Sequence, residues 1–286
     1  MLLDGNLKSV QHLGIFVPDI EQAKAWYVQK LGCRVTYEPA IPTDDGDIKL
    51  AFLELGGLVI ELVQLAPPAL AEVRARTHGH IDHFAVDATD ANQAMREVLA
   101  RGGALHPDAT PDGPQSFPLF SKGVQYVFFK GPFNEKVEAA APLHLDAGRH
   151  AETLSGWNHL GIFVTDLGRS RSFYAQFGFE EIAYGESGEG DAKWCVSLVD
   201  KDGFTIELVL PPASEHAAVN ARKDGVIDHI ALDVLDADAA YVELKAAGME
   251  MIDPAPVPLP LFENGVKYFM IRGPQGERVE FNELVR

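Results

Sequence analysis

The chain has 286 residues, 47% of them hydrophobic, enough for two domains that each bury a core. Its 24 Lys and Arg against 42 Asp and Glu give a formal net charge of −18, which repels a nucleic-acid backbone or an anionic membrane. No apolar run reaches the roughly 20 residues of a membrane-spanning helix, the N-terminal MLLDGNLKSV lacks a basic stretch followed by an apolar one, and Cys33 and Cys195 show no paired spacing. These features predict a reduced, cytoplasmic protein that acts on a small molecule, with neither nucleic acid nor membrane as partner.

In chain order, Val10 to Val17 reads as a strand, Asp19 as the N-cap of a helix that ends near Gly32, and RVTYEP, IKLAFLEL and LVIELVQL as three further strands. Ile81 to Val86 starts the same series again, with Asp90 and Gly102 bracketing its helix. Residues 143–155 carry no strand or helix period and read as a linker. Beyond it the first half is repeated: HLGIFV at 12–17 returns at 159–164, IDHFAVD returns as IDHIALD, and FPLFSKGVQYVFFKGPFNEKVE as LPLFENGVKYFMIRGPQGERVE. The offset drifts only from 147 (159 minus 12) to 142 (280 minus 138), the mark of a duplicated domain with small loop deletions. The predicted fold is α+β, with four βαβββ units near 8–68, 79–142, 156–213 and 225–286, grouped into domains 1–142 and 156–286.

Counting in twos along the strands separates their faces. Leu13, Ile15 and Val17 should pack on the helices, while His12, Gly14 and Phe16 face the other way; His159, Gly161 and Phe163 repeat this, and His83 and His229 share it with Ala85 and Ala231. Glu61, Glu138, Glu207 and Glu280 fall on the same face of later strands. A single strand histidine is ordinarily a hydrogen-bonded structural residue, but the order His, Glu, His, Glu occurs twice, with gaps of 49, 22 and 55 (12 to 61 to 83 to 138) and of 48, 22 and 51 (159 to 207 to 229 to 280). Two imidazoles and two carboxylates on one concave, Gly- and Ala-lined face suit a divalent ion. The expected ligands are His12, Glu61, His83, Glu138, His159, Glu207, His229 and Glu280, for up to two ions per chain.

With these residues placed, and with GPFNEKVEA and GPQGERVEF closing the two halves, the chain resembles the vicinal oxygen chelate superfamily, which includes glyoxalase I, methylmalonyl-CoA epimerase, extradiol dioxygenases and drug-resistance proteins. The resemblance implies cup-shaped curved mixed sheets with helices outside, the eight ligands above, and Zn, Ni, Co, Mn or Fe as the ion. It further implies a lyase or isomerase that moves a proton beside a carbonyl through an enediolate, with Glu138 and Glu280 as bases. Phe16 and Phe163 stand where glyoxalase I has an arginine for the glutathione carboxylate, which leaves glutathione doubtful. An extradiol dioxygenase is the alternative, although Met270 stands where its tyrosine would be and Gly273 precedes Pro274; a metal-free drug-binding protein is a second. The protein would be a monomer with internal pseudo-dimer symmetry or a homodimer. The family builds its cup either from two units of one domain or by exchanging units between domains; the connection LVQLAPPALAEVRARTHGHID resembles that of the epimerases, so His12, Glu61, His83 and Glu138 are expected to share one ion and the other four a second, whereas exchange would join His12 and Glu61 with His229 and Glu280. The two PLF loops, Pro118 to Phe120 and Pro260 to Phe262, either cover the cup mouths or pack rigidly on the sheet edge.

Overall fold

The protein was analysed as a computed structural model that describes residues 1–145 and 150–285; within the expected linker 143–155, residues 146–149 lie outside the described residues. The first unit comprises β1 (Leu7–Phe16), α1 (Ile20–Trp26), β2 (Arg34–Tyr37), β3 (Ala40–Ile41), β4 (Ile48–Leu55) and β5 (Leu58–Gln64), with α2 (Pro67–Arg74) leading out of it. The second comprises β6 (Ile81–Ala88), α3 (Ala91–Ala100), β7 (Gln115–Phe117), β8 (Val124–Lys130) and β9 (Lys136–Pro142). The third has β10 (Leu154–Phe163), α4 (Leu167–Ala175), β11 (Glu180–Ser187), β12 (Trp194–Lys201) and β13 (Phe204–Leu210), followed by α5 (His216–Asn220). The last has β14 (Ile227–Val234), α6 (Ala237–Ala246), β15 (Glu250–Met251), β16 (Val257–Leu259), β17 (Val266–Arg272) and β18 (Arg278–Leu284). No helix among the described residues is long and apolar enough to cross a membrane.

Each unit starts alike for a local reason. The carboxylates of Asp19, Asp90, Asp166 and Asp236 accept from the amides of Gln22, Gln93, Arg169 and Ala239 at 2.8–3.0 Å, satisfying one of the open donors of each helix. The strand faces divide as their alternation requires. Leu13, Ile15, Ile60 and Leu62 are buried in the core beneath the helices, while His12 and Glu61 point to the concave side.

The strands form two curved mixed sheets. One runs β15-β17-β18-β14-β1-β5-β4-β2 and joins the first unit to the last; the other runs β11-β12-β13-β10-β6-β9-β8-β7 and joins the two middle units. We call them the outer and inner cups. This corrects the expected grouping, in which the first and second units complete one cup: β1 pairs antiparallel with β14, not with β6, and β10 pairs with β6. The connections at 75–80 and 221–226 explain the exchange. Each carries its chain from one sheet to the other, and they cross in contact, with the His80 amide donating to the Lys223 carbonyl (2.9 Å) and the Val226 amide to the Thr77 carbonyl (3.2 Å). A β-carbon on Gly79 would lie 2.1 Å from the Gly225 nitrogen, and one on Gly225 would lie 2.4 Å from the Gly79 nitrogen.

Because the obstacle at this crossing is backbone on both sides, Gly79→Ala and Gly225→Ala are each expected to cost about 1–3 kcal/mol, read as a lower urea midpoint at unchanged slope. Wild-type stability in both variants would show that the crossing does not constrain the chain.

Candidate metal centres

Strand register sets the site. In the outer cup Gly14 lies opposite His229 and Ala231 opposite His12; in the inner cup Gly161 lies opposite His83 and Ala85 opposite His159. The small residue after each histidine therefore makes room for the other histidine of the pair. A β-carbon on Gly14 would sit 2.0 Å from His229 Cε1, and one on Gly161 2.0 Å from His83 Cε1. Parallel pairing of β1 with β5 and of β14 with β18 brings up Glu61 and Glu280, and β10 with β13 and β6 with β9 bring up Glu207 and Glu138.

All eight predicted residues thus gather into two sets of four, but not the sets expected from the connection: His12 and Glu61 join His229 and Glu280, while His83 and Glu138 join His159 and Glu207. The paired Nε2 atoms are 3.3 Å apart in the outer cup and 3.2 Å in the inner. Carboxylate oxygens approach them at 3.3–3.8 Å in the outer cup and 3.2–3.6 Å in the inner. Within each set the two histidines and one glutamate, Glu61 or Glu207, have donor atoms all within 4.8 Å of one another.

The outer nitrogens of the rings are already committed. His229 Nδ1 is 3.0 Å from Asp228 Oδ1 and His83 Nδ1 3.1 Å from Asp82 Oδ1; a carboxylate only accepts, so these nitrogens carry the hydrogen. Gln11 Oε1 and Asn158 Oδ1 hold His12 and His159 in the same way, at 3.0 and 2.8 Å. In each cup two Nε2 lone pairs are thereby turned on one another beside two carboxylates, an arrangement that only a cation between them relieves. Donors packed 3.2–3.8 Å apart match ligands about 2.0–2.2 Å from one ion, so the residues fit a divalent metal. Without one, protons fill the role. Burial alone would lower His83, but its hydrogen bond to Asp82 and the adjacent Glu207 and Glu138 push it up to about 10. His229 is lowered by burial yet raised to about 9 by Glu280, Asp228 and Glu61. Burial raises Glu61 and Glu207, but the facing histidines outweigh it and both sit below the usual range; Glu280 stays raised, chiefly by burial.

The orienting residues Asp82, Asp228, Gln11 and Asn158 were not singled out from the sequence. Their signal was present, since each immediately precedes a ligand histidine, but alternation places them on the opposite face. They reach back along their own strands to Nδ1.

The two cups differ above the floor. The inner one encloses about 670 Å³, walled by Phe117, Leu119, Phe128, Phe163, Trp194 and Leu198 among others, and His83, Glu138, His159 and Glu207 all line it. The outer cup carries an aromatic stack: Phe262 lies 4.9 Å from Tyr37 and 5.5 Å from Phe52, and its amide donates to the Tyr37 hydroxyl at 3.2 Å. Ala183 and Leu198 occupy the equivalent places in the inner cup, where Phe120 packs on His144 instead. Both PLF loops pack on the facing unit's sheet, with Leu119 buried against Val196, Leu198 and Val209 and Leu261 against Leu50, Phe52 and Val63.

Comparison with known proteins gives the same outline. Family models described as Glyoxalase/Bleomycin resistance protein/Dioxygenase superfamily match residues 11–118 and 156–281. YwkD of Bacillus subtilis, an uncharacterised protein, is 32% identical over 126 residues, 44% of this chain and 91% of its own length. Human mitochondrial methylmalonyl-CoA epimerase is 27% identical over 96 residues, 32% of this chain and 53% of its own. Glyoxalase I from Zea mays superposes with a TM-score of 0.70 at 17% identity, covering 98% of this chain and 94% of that one.

Metal titration should separate the cups. Glu61→Ala with Glu280→Ala removes one of two ions, whereas Glu61→Ala with Glu138→Ala cripples both sites; the reverse pattern would restore the uncrossed pairing. Gly14→Ala is expected to weaken the outer site only and Gly161→Ala the inner only. Because His83 and His229 hold protons at pH 7 that an ion must displace, binding should release roughly one proton per ion and tighten as pH rises from 6 to 8. Calorimetry in two buffers of different ionisation enthalpy measures this, and binding without proton release would contradict the charge state described above.

Proposed function

Since the chain belongs to the glyoxalase/bleomycin resistance protein/dioxygenase superfamily, we propose that it is a divalent-metal-dependent enzyme of glyoxalase or epimerase type, moving a proton at a carbon beside a carbonyl, with the inner cup as its working site. The observation that carries this reading is the position of Glu138. It reaches both inner histidines, at 3.2 and 3.5 Å, as closely as Glu207 does at 3.3 and 3.6 Å. Its outer-cup counterpart Glu280 accepts a hydrogen bond from Asn282 at 2.8 Å, where the inner cup has Ala140. Glu138 is thus the carboxylate with less to hold it in place, and the one that faces an open cavity.

An ion held by His83, His159 and Glu207, with Glu138 as a fourth ligand that substrate would displace, would act as a Lewis acid toward two neighbouring oxygens of the substrate. Glu138 takes the proton from the adjacent carbon and returns it. Asp82 and Asn158 keep the two rings from turning, so that Nε2 stays aimed at the cup floor. Phe128, edge-on to His83 at 5.0 Å, and Trp194 with Phe163 give the cavity above Glu138 apolar walls. The similarity to methylmalonyl-CoA epimerase supports the proton-transfer class, and the His/Glu composition of the set supports a metal.

The test is solvent-proton exchange. Hydroxyketones, hemithioacetals and 2-methyl-acyl thioesters are incubated with metal-loaded protein in deuterated water and followed by NMR for label beside the carbonyl. Glu138→Gln is expected to lower exchange about 100-fold or more, with Glu280→Gln close to wild type. No label from any candidate, with both ions bound, would overturn the proposal, and full exchange in Glu138→Gln would remove Glu138 as the base.

A further inference from the structure

The two cups hold their orienting aspartates with different balances of charge. In the outer cup Arg76 and Arg278 grip Asp228 at 2.5 and 3.1 Å, and every guanidinium nitrogen of Arg76 is used: Nε and Nη2 bind Glu72 (2.9 and 3.3 Å), and Nη1 binds Asp228 and the Gly225 carbonyl. Arg278 and Arg272 share Asp224 as well, so three arginines face three carboxylates.

In the inner cup Arg222 and Lys136 occupy the places of Arg76 and Arg278, but both bind the one carboxylate of Asp82, at 2.8 and 3.0 Å. The residue one helical turn before Arg222 is Ala218 where Arg76 has Glu72, and His78 stands where the outer cup has Asp224. Burial, and then Lys136, lowers His78 to about 4, so it adds no charge at neutral pH. Arg222 Nη1 takes Asp82 and the Gly79 carbonyl (3.2 Å), and Nε and Nη2 have no hydrogen-bond partner among the described residues. The guanidinium lies 4.7 Å over the Phe163 ring, and both cations line the 670 Å³ cavity, with the exposed Glu215 and Asp108 at its rim. A partly buried cation with unused donors in a planar fork suits a carboxylate.

We infer that the inner cup seats an anionic group of its substrate, a carboxylate, on Arg222 with Lys136 beside it, so that the substrate class is a carbonyl compound bearing a remote carboxylate. This rests on the inner cup being the working site. It also qualifies the expectation drawn from Phe163: the phenylalanine in the place of an arginine is the platform on which an arginine from another segment lies.

The probes are 5-hydroxy-4-oxopentanoate and its methyl ester, which share vicinal oxygens and differ in charge at the far end, titrated calorimetrically into the metal-loaded protein. Wild type is expected to bind the acid about tenfold more tightly than the ester. Arg222→Met should bring the two together by weakening the acid. Ala218→Glu should do the same without removing the arginine, by supplying the carboxylate that Arg76 already has. Equal binding of acid and ester by wild type, a preference that survives both substitutions, or no binding of either probe at full metal occupancy would overturn the subsite. Deuterium exchange into the ester with no preference for the acid would do so while leaving the proton-transfer reading intact; a preference for the acid without exchange into either would uphold the subsite and sink that reading.

Discussion

Two histidine nitrogens held face to face, with their other nitrogens already spent as donors, are the constraint on which the arrangement turns. Turning either ring away would break a hydrogen bond to Asp82, Asp228, Gln11 or Asn158 and push the ring into a neighbouring strand. Leaving the pair without positive charge would set lone pair against lone pair beside two buried carboxylates. The strands therefore hold a shape that a cation completes. Gly14 and Gly161 are part of that shape, because the rings occupy the volume a larger residue would need.

The same scaffold supports two different environments. Near the floor the cups are almost interchangeable, down to distances within a few tenths of an ångström. Above it they diverge through a few side chains: Tyr37 and Phe52 against Ala183 and Leu198 decide whether a loop phenylalanine joins an aromatic stack, Asn282 against Ala140 whether the last carboxylate is held, and Glu72 against Ala218 whether an arginine is fully occupied. Duplication kept the His/Glu sets in both halves, while surface-loop and wall residues set access and charge.

Much of this was legible in the sequence because it depends on local periodicity. The four Asp-capped helices, the division of Leu13 and Ile15 from His12 and Gly14, and the face shared by the glutamates follow from counting along single elements. Which units share a cup was not legible. The first unit presents His-x-Gly, and both the second and the last present His-x-Ala in the same register, so His12 and Gly14 would fit His83 and Ala85 as well as they fit His229 and Ala231. The choice is made by the crossing at Gly79 and Gly225, a contact between segments 146 residues apart (225 minus 79) that leaves no period in the chain. Asp82 and Asp228 escaped notice for a related reason: alternation describes where a Cβ points, not how far a short carboxylate can lean along its own strand.

The nesting of one cup inside the other in chain order has a consequence during synthesis. The inner cup is assembled from adjoining segments and can close once β13 (Phe204–Leu210) has left the ribosome. The outer cup needs β18 (Arg278–Leu284), so β1 and β5 wait through some 220 further residues (284 minus 64), on the order of ten to forty seconds at ordinary elongation rates. During that interval β1 is an unpaired sheet edge, the kind of surface on which nascent chains stick to one another. His12 keeps the face of β1 opposite Leu13 and Ile15 from being wholly apolar meanwhile, so a residue of the candidate site also guards the unfinished sheet against aggregation.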